Sequence, residues 1–256
     1  MIQRLLLLLL IINSYLTADF IGGEINVGYL FHKSTGNIGY KDKTLSFQDD
    51  LRFSLNDKKE NHLFIKMYLE HPLPLIPNVK IGYDTFQYTG GGQSKNEISF
   101  GTKNLFELNK DKNKTSTEYN LETIDIAFYY ELLDNYVTID IGLMLKEIKL
   151  DITVRETGTK DIEKGTLNKF YPLLYTKFAF EIPTTNISLK AEQDILKVKD
   201  ILLLSLDLSI RYEFKFGLGA ELGYKLNKIK LDSKTNSFDK IDLTSKGYYL
   251  AIIWDF

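Results

Sequence analysis

Side chains that could move protons near neutrality are few: His32, His62 and His71 are the only three histidines, and there is no cysteine. Hydrolytic chemistry needs a nucleophile and a base in reach of one another, most often a His beside an Asp or Ser. His32 and His62 read as turn residues, and His71 abuts Pro72; none falls in a His-Ser or His-Asp motif. No two are spaced like metal ligands on neighbouring positions, and thiolate metal sites are excluded outright. "TGGGQS" has the glycines of a flexible turn without the Lys and Ser or Thr of a phosphate loop. These residues imply no catalytic site, no metal and no cofactor.

The charged residues carry a different message, because of where they stand. From Leu202 to Phe214 every even position is apolar, while the odd positions include Ser205, Asp207, Ser209, Arg211 and Glu213. After a tight connection near Lys215 the series resumes with Phe216, Leu218, Ala220, Leu222, Tyr224 and Leu226, opposite Glu221, Lys225 and three glycines. A period of two is the strand period; in a helix the same residues would spread around the cylinder. Similar alternation runs through Ile25–Phe31, Leu63–Leu69, Ile124–Tyr130, Val137–Leu145, Pro172–Ile182 and Ile187–Ala191, and more weakly through "TLSFQDDLRFSL", "NVKIGYDTFQY" and "NEISFGTKNLFEL". In the first of these weak segments Asp49 interrupts the apolar series, which reads as a bulge or as an outward face that ends early.

One oily face and one charged face suit two environments. In a soluble sandwich or lipocalin-like barrel the oily face points inward; in a transmembrane barrel it points at lipid and the charges line the lumen. Three features favour the second. The better strands run to about ten alternating residues, the length of a tilted bilayer crossing, where globular strands average about five or six. Long polar stretches ("LNKDKNKTSTEYN", "TVRETGTKDIEKGTLN", "KLDSKTNSFDK") read as surface loops and tend to alternate with short ones ("NDKKEN", "LLDNY", "PTTN", "YEFK"). Aromatic residues such as Tyr130, Tyr136, Tyr212, Phe214, Phe216, Trp254 and Phe256 gather at strand ends, where an interfacial girdle falls. The expected fold is therefore all-β: a transmembrane antiparallel up-and-down barrel of about twelve strands, with ten as the alternative.

The amino terminus agrees. "MIQRLLLLLLIINSYLTADF" has a short basic start, an apolar run from Leu5 to Ile12 and a small residue at Ala18. That is the layout of a secretory signal peptide, and the run is far shorter than the roughly 20 residues that span a bilayer as a helix. Residues 1–18 are expected to be the leader and 19–256 the mature barrel, exported through the periplasm to the cell outer membrane. The mature start "ADFIGGEINVGYLFH", the segment "EHPLPLIPNVKI" and the hairpin "DIAFYYELLDNYVTIDIGL" resemble the signatures of a family of small, uncharacterised outer-membrane β-barrel proteins of Gram-negative bacteria. The resemblance implies location and architecture and supplies no activity.

Within such a barrel the expected lumen-facing charges are Glu24, Arg52, Lys66, Asp84, Asp125, Asp140, Lys146, Lys177, Glu181, Asp207, Arg211, Glu213, Glu221 and Lys225. Charges in a narrow lumen must pair or stay wet, so they form either an internal ion-pair network or a pore lining. With 32 basic residues against 34 acidic ones, neither sign dominates, and no basic patch invites nucleic acid. "HPLPLIPN" reads as a rigid extended connection, since Pro cannot donate to a ladder; its sharper reading is a plug or docking segment folded toward the barrel mouth. At the carboxy end Tyr248, Leu250, Ile252, Trp254 and Phe256 are expected to face lipid on the closing strand, with Ile253 pointing inward. The terminal Phe256 resembles the signal by which the barrel-assembly machinery recognises its clients. The expected partners are that machinery and outer-membrane lipid. The leading expectation is a small passive solute pore; the alternative is a closed structural or adhesive barrel with a salt-bridged lumen and working extracellular loops, and an outer-membrane hydrolase is a minor third.

Overall fold

Alternation with a period of two places successive side chains on opposite faces of an extended chain, and nearly the whole molecule is built this way. The computed structural model describes residues 22–40, 43–47, 62–73, 75–93, 99–100, 103–104, 114–157, 162–231 and 240–256. In chain order the strands are β1 (Gly22–Tyr40), β2 (Lys43–Phe47), β3 (Leu63–Glu70), β4 (Asn78–Gln93), β5 (Ser99–Phe100), β6 (Lys103–Asn104), β7 (Lys114–Asp134), β8 (Val137–Thr157), β9 (Ile162–Glu181), β10 (Ile187–Val198), β11 (Ile201–Glu213), β12 (Leu218–Leu231) and β13 (Lys240–Asp255). All except β2, β5 and β6 pair antiparallel in the order β1-β3-β4-β7-β8-β9-β10-β11-β12-β13, and β13 returns to β1. The result is a closed barrel of ten strands. Closure leaves no open strand edge where backbone groups would meet hydrocarbon without partners.

The seam joins the two ends of the chain. It runs from Glu24 opposite Asp255 to Gly39 opposite Lys240, with Ile25 against Trp254 and Phe31 against Tyr248. Gly23 and Phe256 exchange backbone hydrogen bonds of 2.9 Å in both directions. Ile253 points inward and is 2% exposed, and the residue opposite it on β12 is Gly219.

The strand count is ten and not twelve, because the described parts of two weak segments stand outside the closed ring. The described part of "TLSFQDDLRFSL", Thr44–Phe47, belongs with Lys43 to β2, which folds back on Gly36–Tyr40 as an added ribbon. "NEISFGTKNLFEL" supplies β5 and β6, which pair only with each other. Neither alternates as long or as regularly as the crossing strands do. Arg52, the Asp49 bulge and the leader at residues 1–18 lie outside the described residues.

Two stretches expected as surface loops turn out to be mostly strand. "LNKDKNKTSTEYN" and "TVRETGTKDIEKGTLN" extend β7 and β8 to 21 residues each and β9 to 20. Apart from Ile162, the outward residues described there are polar, and alternate positions such as Ile152 and Leu167 are buried. These strands stand beyond the bilayer as a water-facing collar. The short connections gather at the other end: Asn135–Tyr136, residues 182–186, and the turn at Lys215–Gly217, where Phe216 and Gly217 take φ of 67° and 70°.

The "HPLPLIPN" segment is a braced turn at that same end. His71 N–H donates to Asn78 Oδ1 (3.0 Å), and Leu73 N–H donates to His71 Nδ1 (3.2 Å). The hydroxyl of Tyr130, on the outer face, donates to the Leu75 carbonyl (3.2 Å). The turn is thus drawn to the outside of the wall and away from the mouth.

Candidate functional site in the barrel interior

Polarity inverts along single strands. On β8, Ile139, Ile141, Leu143 and Leu145 are exposed while Asp140 and Lys146 are buried; past Lys146 the inward residues become Ile148, Leu150 and Ile152, and the outward ones Glu147, Lys149 and Asp151. On β13, Trp254, Ile252, Leu250 and Tyr248 face out, followed by Lys246, Thr244 and Asp242, while inward Tyr249 gives way to Leu243 and Ile241. The apolar outer belt is the signature of a lipid-facing surface, since water would not tolerate so much exposed Leu, Ile, Phe and Tyr in one band. From Lys246 to Phe256 there are ten residue steps. At about 3.3 Å per residue and a tilt near 40° they span roughly 25 Å, the height of the apolar band of a membrane barrel. The protein is an integral membrane β-barrel.

Within the belt the interior is filled by ion pairs. At the short-turn end, Arg211 grips Glu24 with two bonds of 2.7 Å and reaches Glu221 at 3.1 Å, which Lys190 also contacts at 3.0 Å. The Tyr249 hydroxyl donates to Asp207 at 2.6 Å and also contacts Glu221. Lys66 pairs with Asp207 (2.6 Å) and lies 3.7 Å from Glu192, which Lys80 and the Tyr68 hydroxyl also hold. Lys225 pairs with Asp84 (2.5 Å), Lys146 with Asp125 (2.9 Å), and Lys177 with Asp140 (2.8 Å). Asp194 lies 3.7 Å from Lys146, and Glu70 lies 3.6 Å from Lys177 and accepts from the Tyr129 hydroxyl at 2.8 Å. Every one of the ten barrel strands contributes a side chain. Such a network fixes register, because a one-residue slip would turn each charge toward lipid.

Eleven of the expected lumen residues take part in these pairs: Glu24, Lys66, Asp84, Asp125, Asp140, Lys146, Lys177, Asp207, Arg211, Glu221 and Lys225. Glu181 and Glu213 do not. Both are exposed at the last residue of a strand, where the wall ends at a turn and the alternation no longer implies enclosure. Lys80, Lys190, Glu192, Asp194 and Glu70 join the network without having been singled out from the sequence. Continuing the alternation past Ala191 would have found Glu192 and Asp194, and the spacing of Lys80 to Asp84 is even, so both share a face.

The histidines also depart from expectation. His32 and His62 are buried inside the barrel, 7% and 0% exposed, and not in turns. Their rings are 5.3 Å apart, and His62 lies against Phe86 with its Nε2 3.4 Å from Asp84. They mark the boundary between the charged layer and an apolar cap of Phe86, Leu121, Ile148, Leu150, Leu203, Ile229 and their neighbours. A cavity of about 20 Å³ is bounded by Lys66, Lys80, Asp84, Asp125, Glu192 and Asp207. Another of about 20 Å³ is bounded by Phe86, Leu121, Lys146, Ile148, Leu203 and Ile229. Each has room for about one water. Among the described residues no cluster of three or more His, Cys, Asp or Glu side chains is arranged to hold a metal.

No family model matches the chain, and no curated protein matches it. Among solved structures it is similar to the translocator domain of the autotransporter NalP from Neisseria meningitidis, at 12% identity over 100% of this chain and 95% of that one, with a TM-score of 0.41. It is similar to the outer-membrane protease OmpT from Escherichia coli at 12% identity, covering 94% and 98% of the two chains, with a TM-score of 0.42. Ail, the attachment invasion locus protein of Yersinia pestis, in complex with the heparin analogue sucrose octasulfate, shares 10% identity over 93% and 99%, with a TM-score of 0.37.

Proposed function

We propose that the protein is an outer-membrane barrel with a closed lumen, whose role is structural or adhesive and is carried by the collar and loops beyond the membrane. Of the two readings the sequence leaves open, the interior accords better with this one than with a passive pore. The observation that carries it is the double seal: a layer of ion pairs and hydrogen bonds to which all ten strands contribute, roofed by an apolar cluster, with cavities of about 20 Å³ beside Asp84 and Lys146. A solute path would need to break several desolvated pairs at once, each costly to separate. The absence of a catalytic role is part of the same proposal. His32 and His62 sit where a substrate would have to cross the seal, and His71 braces a turn.

The resemblance to small outer-membrane barrels of Gram-negative bacteria supports the location, as does the leader-like start. Phe256 is proposed to serve as the assembly signal, with Tyr248, Leu250, Ile252 and Trp254 forming the lipid-facing stripe that precedes it. A liposome-swelling assay tests the closed lumen: the reconstituted protein should admit neither sugars nor amino acids. Swelling at rates comparable with a general porin would return the pore to first place.

A further inference from the structure

Strand β9 stands well above its neighbour β10, and one of its sides is left open. Its ladder with β8 is unbroken from Phe180 opposite Val137 to Ile162 opposite Arg155. Its ladder with β10 stops where Leu174 meets Ile195. Among the described residues no strand other than β8 and β10 lies along it.

A proline sets the boundary. Successive residues of an antiparallel strand turn their N–H and C=O groups to opposite neighbours. Glu181 N–H donates to Tyr136, which precedes β8, and Ile182 N–H donates to Ile187 at the start of β10. Odd-numbered residues of β9 therefore serve β8, and even-numbered ones serve the other side. Pro172 is the next even residue beyond Leu174, and it has no N–H to give. Past it, Ile162, Lys164, Thr166, Asn168 and Phe170 aim both backbone groups away from β8, with no ladder partner among the described residues. All five side chains are exposed. At about 3.3 Å per residue this edge is about 26 Å long.

An unpaired edge of that length is a template for another strand, and the surroundings select which. Lys164 and Lys169 lie on the edge strand itself. Lys197 and Lys199 lie at its foot, since the β9–β10 register, if continued, brings Lys199 level with Phe170. None of the four has an ion-pair partner among the described residues, and Lys164, Lys197 and Lys199 are exposed. Against them stand only Glu163 and Asp200. A second copy is a poor occupant. Two barrels in one membrane point the same way, so their β9 edges would run parallel and set Lys164 beside its own copy, and facing like charges are unfavourable. The same lysines attract an acidic chain.

We propose that the open edge of β9 from Ile162 to Phe170 takes up an extended acidic segment of a partner polypeptide as an added antiparallel strand. Main-chain hydrogen bonds supply the affinity and the lysines the selectivity. The proposal gives the adhesive reading its partner chemistry and rests on that reading for what the contact achieves.

The probe is a labelled peptide of about ten residues alternating Glu and Val, a length matched to the edge, titrated into the full barrel in detergent micelles and followed by fluorescence anisotropy. Directly opposed residues of an antiparallel pair share a face, and here they exchange both backbone bonds. With Val toward the apolar cap and Glu outward, the Glu residues oppose Lys164, Thr166 and Asn168. Methylating the Glu amide nitrogens should abolish binding, and methylating the Val amide nitrogens should leave it intact. Thr166→Pro removes one edge N–H without touching the β8 ladder and should weaken binding roughly tenfold or more, while Thr166→Val should not change it. A peptide alternating Lys and Val should not bind. Heat-modifiable migration on gels verifies that each variant is folded. No saturable binding of the Glu-Val peptide would overturn the proposal, as would equal binding of the Glu-methylated or Lys-Val peptide. Its failure is separable from that of the closed barrel: liposomes that swell while the edge still binds would sink the closed lumen alone, and a silent edge on a barrel that admits no solute would sink the edge alone.

Discussion

Replacing Lys66 with methionine isolates one member of the internal network. Its ammonium lies 2.6 Å from Asp207, with the two side chains 6% and 5% exposed. Removing one partner of a pair this well buried strands the other charge, at a cost of about 3–5 kcal/mol. Asp207 would retain the Tyr249 hydroxyl at 2.6 Å, and Glu192 would retain Lys80 and Tyr68, which places the cost near the lower end, about 3 kcal/mol. With a urea m-value of about 2–3 kcal/mol/M, the midpoint of reversible unfolding from lipid vesicles should fall by about 1–1.5 M. The double variant Lys66→Met/Asp207→Leu leaves no stranded charge, and Tyr249 keeps its bond to Glu221. It should regain at least half of the loss. A fall of less than about 0.3 M in the single variant would mean that the pair is wet and screened, as at a surface, and the description of a sealed charged layer would be wrong.

Polarity inversion along β8 makes a contrast testable on one strand. Leu143→Arg puts a charge on the lipid face and should cost about 2–4 kcal/mol in vesicle-unfolding titrations, while Asp151→Arg, in the water-facing collar, should change stability by less than about 0.5 kcal/mol. In the cap, Leu150→Ala should cost about 2–5 kcal/mol by the same titration, because Leu150 is 1% exposed. A Cβ on Gly223 would overlap the Tyr249 ring, so Gly223→Val should displace that ring from Asp207 and Glu221 and lower the thermal midpoint of the gel-shift transition by several degrees. Deleting Phe256 removes the backbone bonds to Gly23 and should reduce inserted barrel while leaving periplasmic export intact; fractionation showing a normal outer-membrane yield would count against its role in assembly.

The barrel was legible because period-two alternation survives any loop assignment. Leu202–Phe214 and Leu218–Leu226 show it without a break, and their orientation is the one found. The strand number was harder, because "TLSFQDDLRFSL" and "NEISFGTKNLFEL" alternate too briefly to tell a crossing strand from a ribbon above the membrane. The collar was hidden for a related reason. Beyond the bilayer the inward face turns apolar and the outward face polar, so a strand such as Asp151–Thr157 reads as loop to a search tuned to oily exteriors. His32 and His62 read as turn residues because they stand at that same change of rule, where outward Phe31 gives way to outward Lys33. Glu181 and Glu213 failed in the opposite sense, since alternation gives a face but not the depth at which the wall ends.

The central claim is that the lumen is sealed by side chains of the barrel itself, and planar-bilayer recording tests it most directly. Folded protein inserted in a neutral membrane should give no resolved current steps in about 1 M KCl across roughly ±100 mV, where ion pairs at a surface are screened while buried ones persist. Reproducible unitary conductance steps from the same heat-modifiable protein would contradict it.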